Sequence, residues 1–170
     1  MHSTARVRAF SLIEVVIATG LAAGAVLVII GLLGQQSRQV RDADDQIVAA
    51  QLADGIRVEL MRLARQQGFD ALAAAIPVMS GAADEGLLLV ADRAGMGLRP
   101  LVPGDPADGG RYFLVEIRRY PGGPLAYVPA GAVLPLAVRV SWPYQPEPGG
   151  STTVAAADRG RFDFALAINR

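Results

Sequence analysis

Residues 9–33 read AFSLIEVVIATGLAAGAVLVIIGLL, an apolar run broken by a single charge, Glu14. From Phe10 to Leu33 the run is 24 residues long. As a helix it would rise ~36 Å, more than the roughly 30 Å of a bilayer's hydrocarbon core. Upstream lie nine residues, MHSTARVRA, with Arg6 and Arg8 as their charges. Basic residues before a span stay on the cytoplasmic side, so the rest of the chain is expected to face outward. Glu14 needs its own explanation, because a carboxylate inside an apolar span costs about 3 kcal/mol or more.

Composition removes most alternatives to an anchored, non-catalytic protein. The chain has 170 residues, with 16 basic and 16 acidic side chains and a formal net charge of zero. A nucleic-acid binder needs a basic face, which this balance does not provide. There is no Cys, so disulfides, thiolate nucleophiles and Cys-ligated zinc are excluded. The only His is His2, so nothing downstream can build a Ser-His pair or a His metal site. No catalytic residues and no resident cofactor are expected, and the chain is read as not an enzyme.

Three readings of the N-terminus compete. A secretory signal peptide fits the basic start and the small residues around Ala22–Ala25. The apolar run, however, continues to Leu33, well beyond the 7–15 residues of a signal core. A plain membrane anchor fits the length but leaves Glu14 unexplained. The third reading accounts for both. Ala9-Phe10-Ser11-Leu12-Ile13-Glu14, followed by a long apolar helix, resembles the N-terminus of type IV prepilins and type II secretion pseudopilins. The resemblance implies cleavage between Ala9 and Phe10 by a prepilin peptidase and N-methylation of Phe10 by the same enzyme. Glu14 would then be the assembly carboxylate, paired with a neighbouring subunit's N-terminal amine. The family usually has Gly before the cut, whereas this chain has Ala9. Many members also have a Pro within the apolar helix. Here there is none, and Gly31 and Gly34 are the candidates for local loosening.

The helical pattern continues past Leu33. Apolar or small residues recur at Val40, Ala43, Ile47, Ala50, Ala53, Ile56, Leu60 and Ala64, spaced by three and four. Arg38, Arg41, Asp42, Asp45, Asp54 and Arg62 lie on the other side. No Pro interrupts before Gly68, a natural helix stop. Asp70 is expected to cap a short helix over 71–75. Strands are expected at 87–91, at 98–102 as an edge because of Pro100, at 111–119, at 125–128, at 136–142 and at 162–168. The predicted fold class is α+β. A long N-terminal helix, membrane-spanning in its first half and amphipathic in its second, packs on a small antiparallel sheet in a pilin-like way. The organisation reads as a leader (1–9), a transmembrane and assembly helix (10–34), an amphipathic helix (35–67) and a periplasmic sheet domain (68–170).

The remaining clusters are weaker signals. Asp42, Asp44 and Asp45 read as a solvated helix face. Asp105-Pro-Ala-Asp108-Gly-Gly is a candidate calcium loop, since some pseudopilins bind calcium in such loops, or simply a Pro/Gly turn. Arg118-Arg119 and the pair Arg159 and Arg161 read as surface charge or subunit contacts, and Trp142 as core or sheet edge. A narrower resemblance, carried by Phe69-Asp70, Trp142-Pro143 and the closing Phe164 to Arg170, is to the Verru_Chthon cassette protein B group, whose membership implies no biochemical activity. The resemblance to prepilins implies other pilins or pseudopilins, a prepilin peptidase, an inner-membrane assembly platform and the membrane itself as partners, and no nucleic acid. The expected location is the inner membrane, single-pass, with the C-terminal domain in the periplasm or outside. The alternative is an anchored periplasmic binding module that does not polymerise.

Overall fold

A computed structural model describes residues 11–79, 86–102, 110–129, 131–145 and 152–170. Ala9, Phe10, Arg6, Arg8 and the loop residues Asp105 and Asp108 lie outside the described residues. The chain divides into two compact units at Arg41/Asp42.

The first unit is helical. Helix α1 runs Leu12–Gln67, so it begins in this unit and ends in the next. The second unit is α+β. It holds the remainder of α1, a short helix α2 (Phe69–Ala75), and strands β1 (Leu87–Ala91), β2 (Arg99–Pro100), β3 (Phe113–Arg119), β4 (Val133–Trp142) and β5 (Gly160–Asn169). The strands form one antiparallel sheet in the order β2-β1-β3-β4-β5. Helix α1 stops at Gly68, whose φ of +92° is a conformation that side-chain-bearing residues rarely adopt.

Strand alternation fixes the core. Leu89 and Ala91, Phe113, Val115 and Ile117, Leu134 to Trp142 at every second residue, and Leu166 with Ile168 all point to one side. Against them α1 lays Ala49, Leu52, Ile56 and Leu60, and α2 adds Leu72 and Ala73. Burial of this apolar surface is the main term holding the unit together.

Several expectations are corrected. The buried row of α1 shares Ile56 and Leu60 with the expected one, but upstream it passes through Leu52, Ala49 and Asp45. Val40 and Ile47 are 60% and 57% exposed. Both rows satisfy three-and-four spacing. The row that packs is the one whose polar end, Asp45, finds partners in Tyr112 and Arg93. Asp70 does not cap α2. Gly68 holds the cap position without a side-chain bond, and Asp70 sits in the first turn, accepting from Tyr127 and Arg170. The expected strand over 98–102 shrinks to two residues at Pro100. That over 125–128 is absent: Pro124 lies in a 3-10 turn, Gly123–Leu125, and only an isolated bridge joins Tyr120 to Ala126. Trp142 is core, 7% exposed and 5.9 Å from the ring of Phe113.

Candidate functional site

The N-terminal part of α1 contains a span from Leu12 to Leu33, 22 residues long, none of it buried against the rest of the chain. One helix is therefore long and apolar enough to cross a membrane. Leu12 is 83% exposed, and the large aliphatic residues along the span stand free all round the helix. A helix that is apolar on every side belongs in a membrane or a large core.

Polar groups in this span satisfy themselves locally. The Ser11 amide donates to Glu14 Oε2 at 2.9 Å, and the Glu14 amide donates to Ser11 Oγ at 3.3 Å. This reciprocal pair is a capping box, which closes two of the backbone donors a helix start leaves open. The Ser-x-x-Glu spacing of Ser11-Leu12-Ile13-Glu14 signals it in the sequence. Thr19 Oγ1 donates to the carbonyls of Val15 and Val16, at 2.9 and 3.0 Å. Around Gly20 and Gly24 nothing lies within 4 Å of where a Cβ would stand, so that face is open. Such small-residue pairs let helices approach closely in lipid.

In the second unit, charges that read as surface features prove structural. Asp45 is buried at 6% exposure, accepting from the Tyr112 hydroxyl at 2.5 Å and facing Arg93 Nε at 3.5 Å. Burial first, and the bond to Asp45 second, push the Tyr112 hydroxyl up to about 12. No local pattern signals this knot, because Tyr112 is 67 residues from Asp45. Beside it opens a cleft of about 450 Å³ walled by Asp42, Asp45, Tyr112, Trp142, Asp158 and Arg161.

A second group of charges lies on and beside strands β3 to β5. Arg118 and Glu116 are buried, with Arg118 Nη2 donating to Glu116 Oε2 at 2.9 Å, so Arg118 is not surface charge. Arg119 donates from Nε to the Ile76 carbonyl at 2.6 Å, tying β3 to the end of α2. Arg139 holds Asp163 through two bonds, at 2.8 and 3.2 Å. Arg159 is 9% exposed, donating from Nε to the Val154 carbonyl, whereas Arg161 is exposed. Among the described residues, no group of three or more His, Cys, Asp or Glu side chains could hold a metal ion.

Asp70 carries a further junction. The Tyr127 hydroxyl donates to it at 2.5 Å, Arg170 pairs with it, and Arg170 lies 5.2 Å over the ring of Phe69. The Tyr127 hydrogen bond holds the Asp70 carboxyl below its ordinary value, with Arg170 assisting.

No family model, no curated protein and no solved structure matches this chain.

Proposed function

We propose that the chain is a prepilin-like structural subunit, a minor pilin or a pseudopilin. It would be processed between Ala9 and Phe10 and assembled through its N-terminal helix into a type IV pilus or a type II secretion pseudopilus. The observation that carries the reading is a carboxylate, Glu14, in the first turn of a fully exposed apolar span ahead of a packed α+β unit. Cleavage before Phe10 would create an ammonium one helical turn from Glu14. In low dielectric an unpaired ion is far costlier than a paired one, so a neighbouring subunit's amine and Glu14 would satisfy each other and set the register. Apolar contact along the span would supply the affinity. The inner membrane, the periplasm, the peptidase and the assembly platform enter as part of this reading.

The second reading, an anchored module that does not polymerise, has one observation in its favour. Glu14 already accepts a hydrogen bond from Ser11 of its own chain, so capping alone gives it a role.

Glu14→Gln separates the two. Gln at this position keeps the capping box but removes the charge. Co-expression with a prepilin peptidase and the other pilins should give a mature chain starting at Phe10 by intact mass. Wild type should enter filaments and Glu14→Gln should stay in the membrane fraction. A mature chain with another N-terminus, or full incorporation of Glu14→Gln, refutes the assembly role.

A further inference from the structure

The two edges of the sheet differ. One is β2, two residues long and ending in Pro100. The other is β5, ten residues paired one to one with β4 and without a bulge. The ladder fixes where each backbone group of β5 points. Asn169 pairs with Val133, and the Arg170 amide donates to the Ala132 carbonyl at 2.8 Å. In an antiparallel ladder every second residue bonds to the neighbouring strand. Even-numbered residues of β5 therefore bond to β4, and Arg161, Asp163, Ala165, Ala167 and Asn169 turn their N–H and C=O groups outward. Among the described residues, no strand pairs with this row.

Proteins protect a long edge with lysine, proline, a bulge or a charge. Arg161 and Asp163 stand at the start of β5, where Asp163 is tied back to Arg139. From Phe164 to Ile168 there is no charge, no proline and no bulge. On the core side Leu166 and Ile168 are buried, whereas Phe162 and Phe164 are covered only in part. On the opposite side Ala165 and Ala167 are exposed and too small to obstruct a neighbour. A strand laid along this edge would complete the open ladder and cover both rings.

A second copy of β5 does not fit that place in a membrane. Two antiparallel copies of one edge are related by a two-fold axis normal to the sheet. That axis reverses the course of α1 over the sheet as well. Two chains anchored in one bilayer by their N-terminal spans cannot enter a shared sheet from opposite ends, a step that rests on the anchored reading above. The β2 edge of another copy is too short to pair with β5.

The geometry points to β5 as the docking edge for an extended segment of a different polypeptide, which adds a sixth, antiparallel strand. Its apolar residues, at every second position, lie beside Phe162 and Phe164. Its small or polar residues lie beside Asp163, Ala165 and Ala167.

The test uses full-length protein in lipid nanodiscs and a fluorescein-labelled peptide copying residues 161–169, a free strand with the required alternation and no anchor. Fluorescence anisotropy should rise in a saturable way. With Ala165 of the peptide opposite Ala165 of β5, the peptide's odd-numbered amides face the edge. A one-residue slip would turn its apolar side chains to the wrong face, so this parity is fixed. N-methylation of the peptide at Ala165 and Ala167 should weaken binding at least about ten-fold, because two ladder bonds are lost. N-methylation at Phe164 and Leu166, whose amides point away, should leave binding unchanged. The two modified peptides are equally apolar, so partition into lipid does not separate them. In the protein, Ala165→Pro removes an outward amide and spares the β4 ladder, so it should fold and lose peptide binding. Absence of saturable binding, or equal binding of the two methylated peptides, overturns the proposal. The chain has no native Cys, so Ala165→Cys can be crosslinked by a short bismaleimide. A dimer that excess peptide abolishes would assign the edge to a second copy and overturn the proposal too. If Ala165→Pro fails to fold, the methylated peptides decide. If the chain does not insert into nanodiscs, the anchored reading fails, and the same peptide comparison in buffer decides on the edge.

Discussion

The first and second halves of α1 share one secondary structure and differ in everything that decides their role. From Leu12 to Leu33 the helix is apolar on all sides, and none of that span is buried among the described residues. From Asp45 onward a single row, Ala49, Leu52, Ile56 and Leu60, is buried against a sheet, while Arg57, Val58 and Arg62 stay exposed. Helical geometry is therefore not what distinguishes an anchor from a core element. What distinguishes them is how much of the circumference is apolar, and whether the chain supplies a cover for it.

The sharpest way to break this contrast is to shorten one aliphatic residue in each half. Leu60→Ala removes a fully buried side chain and should cost about 3 kcal/mol of stability, seen as a lower denaturation midpoint by Trp142 fluorescence. Leu27→Ala, at a residue 70% exposed in the span, should leave that midpoint where it was. Equal losses would mean that the two halves share one cooperative core.

The acids make a second, comparable test. Glu116 is paired with Arg118 inside the second unit, and removing its charge takes a counter-charge from a buried guanidinium. Glu116→Gln should destabilise by about 3 kcal/mol in the same assay. Glu14→Gln should not move the unfolding midpoint, because among the described residues its carboxylate bonds only to the helix start. A stable Glu116→Gln variant would show that water reaches the pair.

The smallest effect concerns pH. Tyr112 binds its proton more tightly folded than unfolded, with a value raised from 10.0 to about 12. Its contribution to stability is complete below the unfolded value and is lost as pH rises through the folded one. Between roughly pH 10 and 12 the native state holds more protons than the unfolded chain, so stability should fall with pH there. Tyr112→Phe should flatten that part of the profile. An equally steep decline in the variant would assign the loss to other groups.

How far the sequence revealed these features follows from the distance over which each is determined. Strand β1, the stop at Gly68 and the alternation along β4 and β5 depend on neighbouring residues, and their periods show them directly. So does the Ser11 to Glu14 spacing of the capping box. The fate of Asp45 depends on Tyr112 and Arg93, far along the chain, and three nearby aspartates looked like solvated surface. Glu116 and Arg118 alternate correctly with Val115 and Ile117. Period alone cannot tell that the sheet's second face is also covered, or that the two charges meet there. Around Pro124 the strand expected over 125–128 gave way to a 3-10 turn at Gly123–Leu125 and a single bridge at Ala126, because proline lacks the donor a ladder needs.

The turn Asp92–Met96 has a mechanical consequence. Gly95 adopts φ +75°, and a Cβ there would stand 2.9 Å from Val48 Cγ1, so this bend lies directly on the helix. Arg93, from the same bend, reaches Asp45 one turn earlier. Together they act as a detent: sliding α1 lengthwise over the strands would drive Val48 into the peptide at Gly95 and separate Arg93 from Asp45.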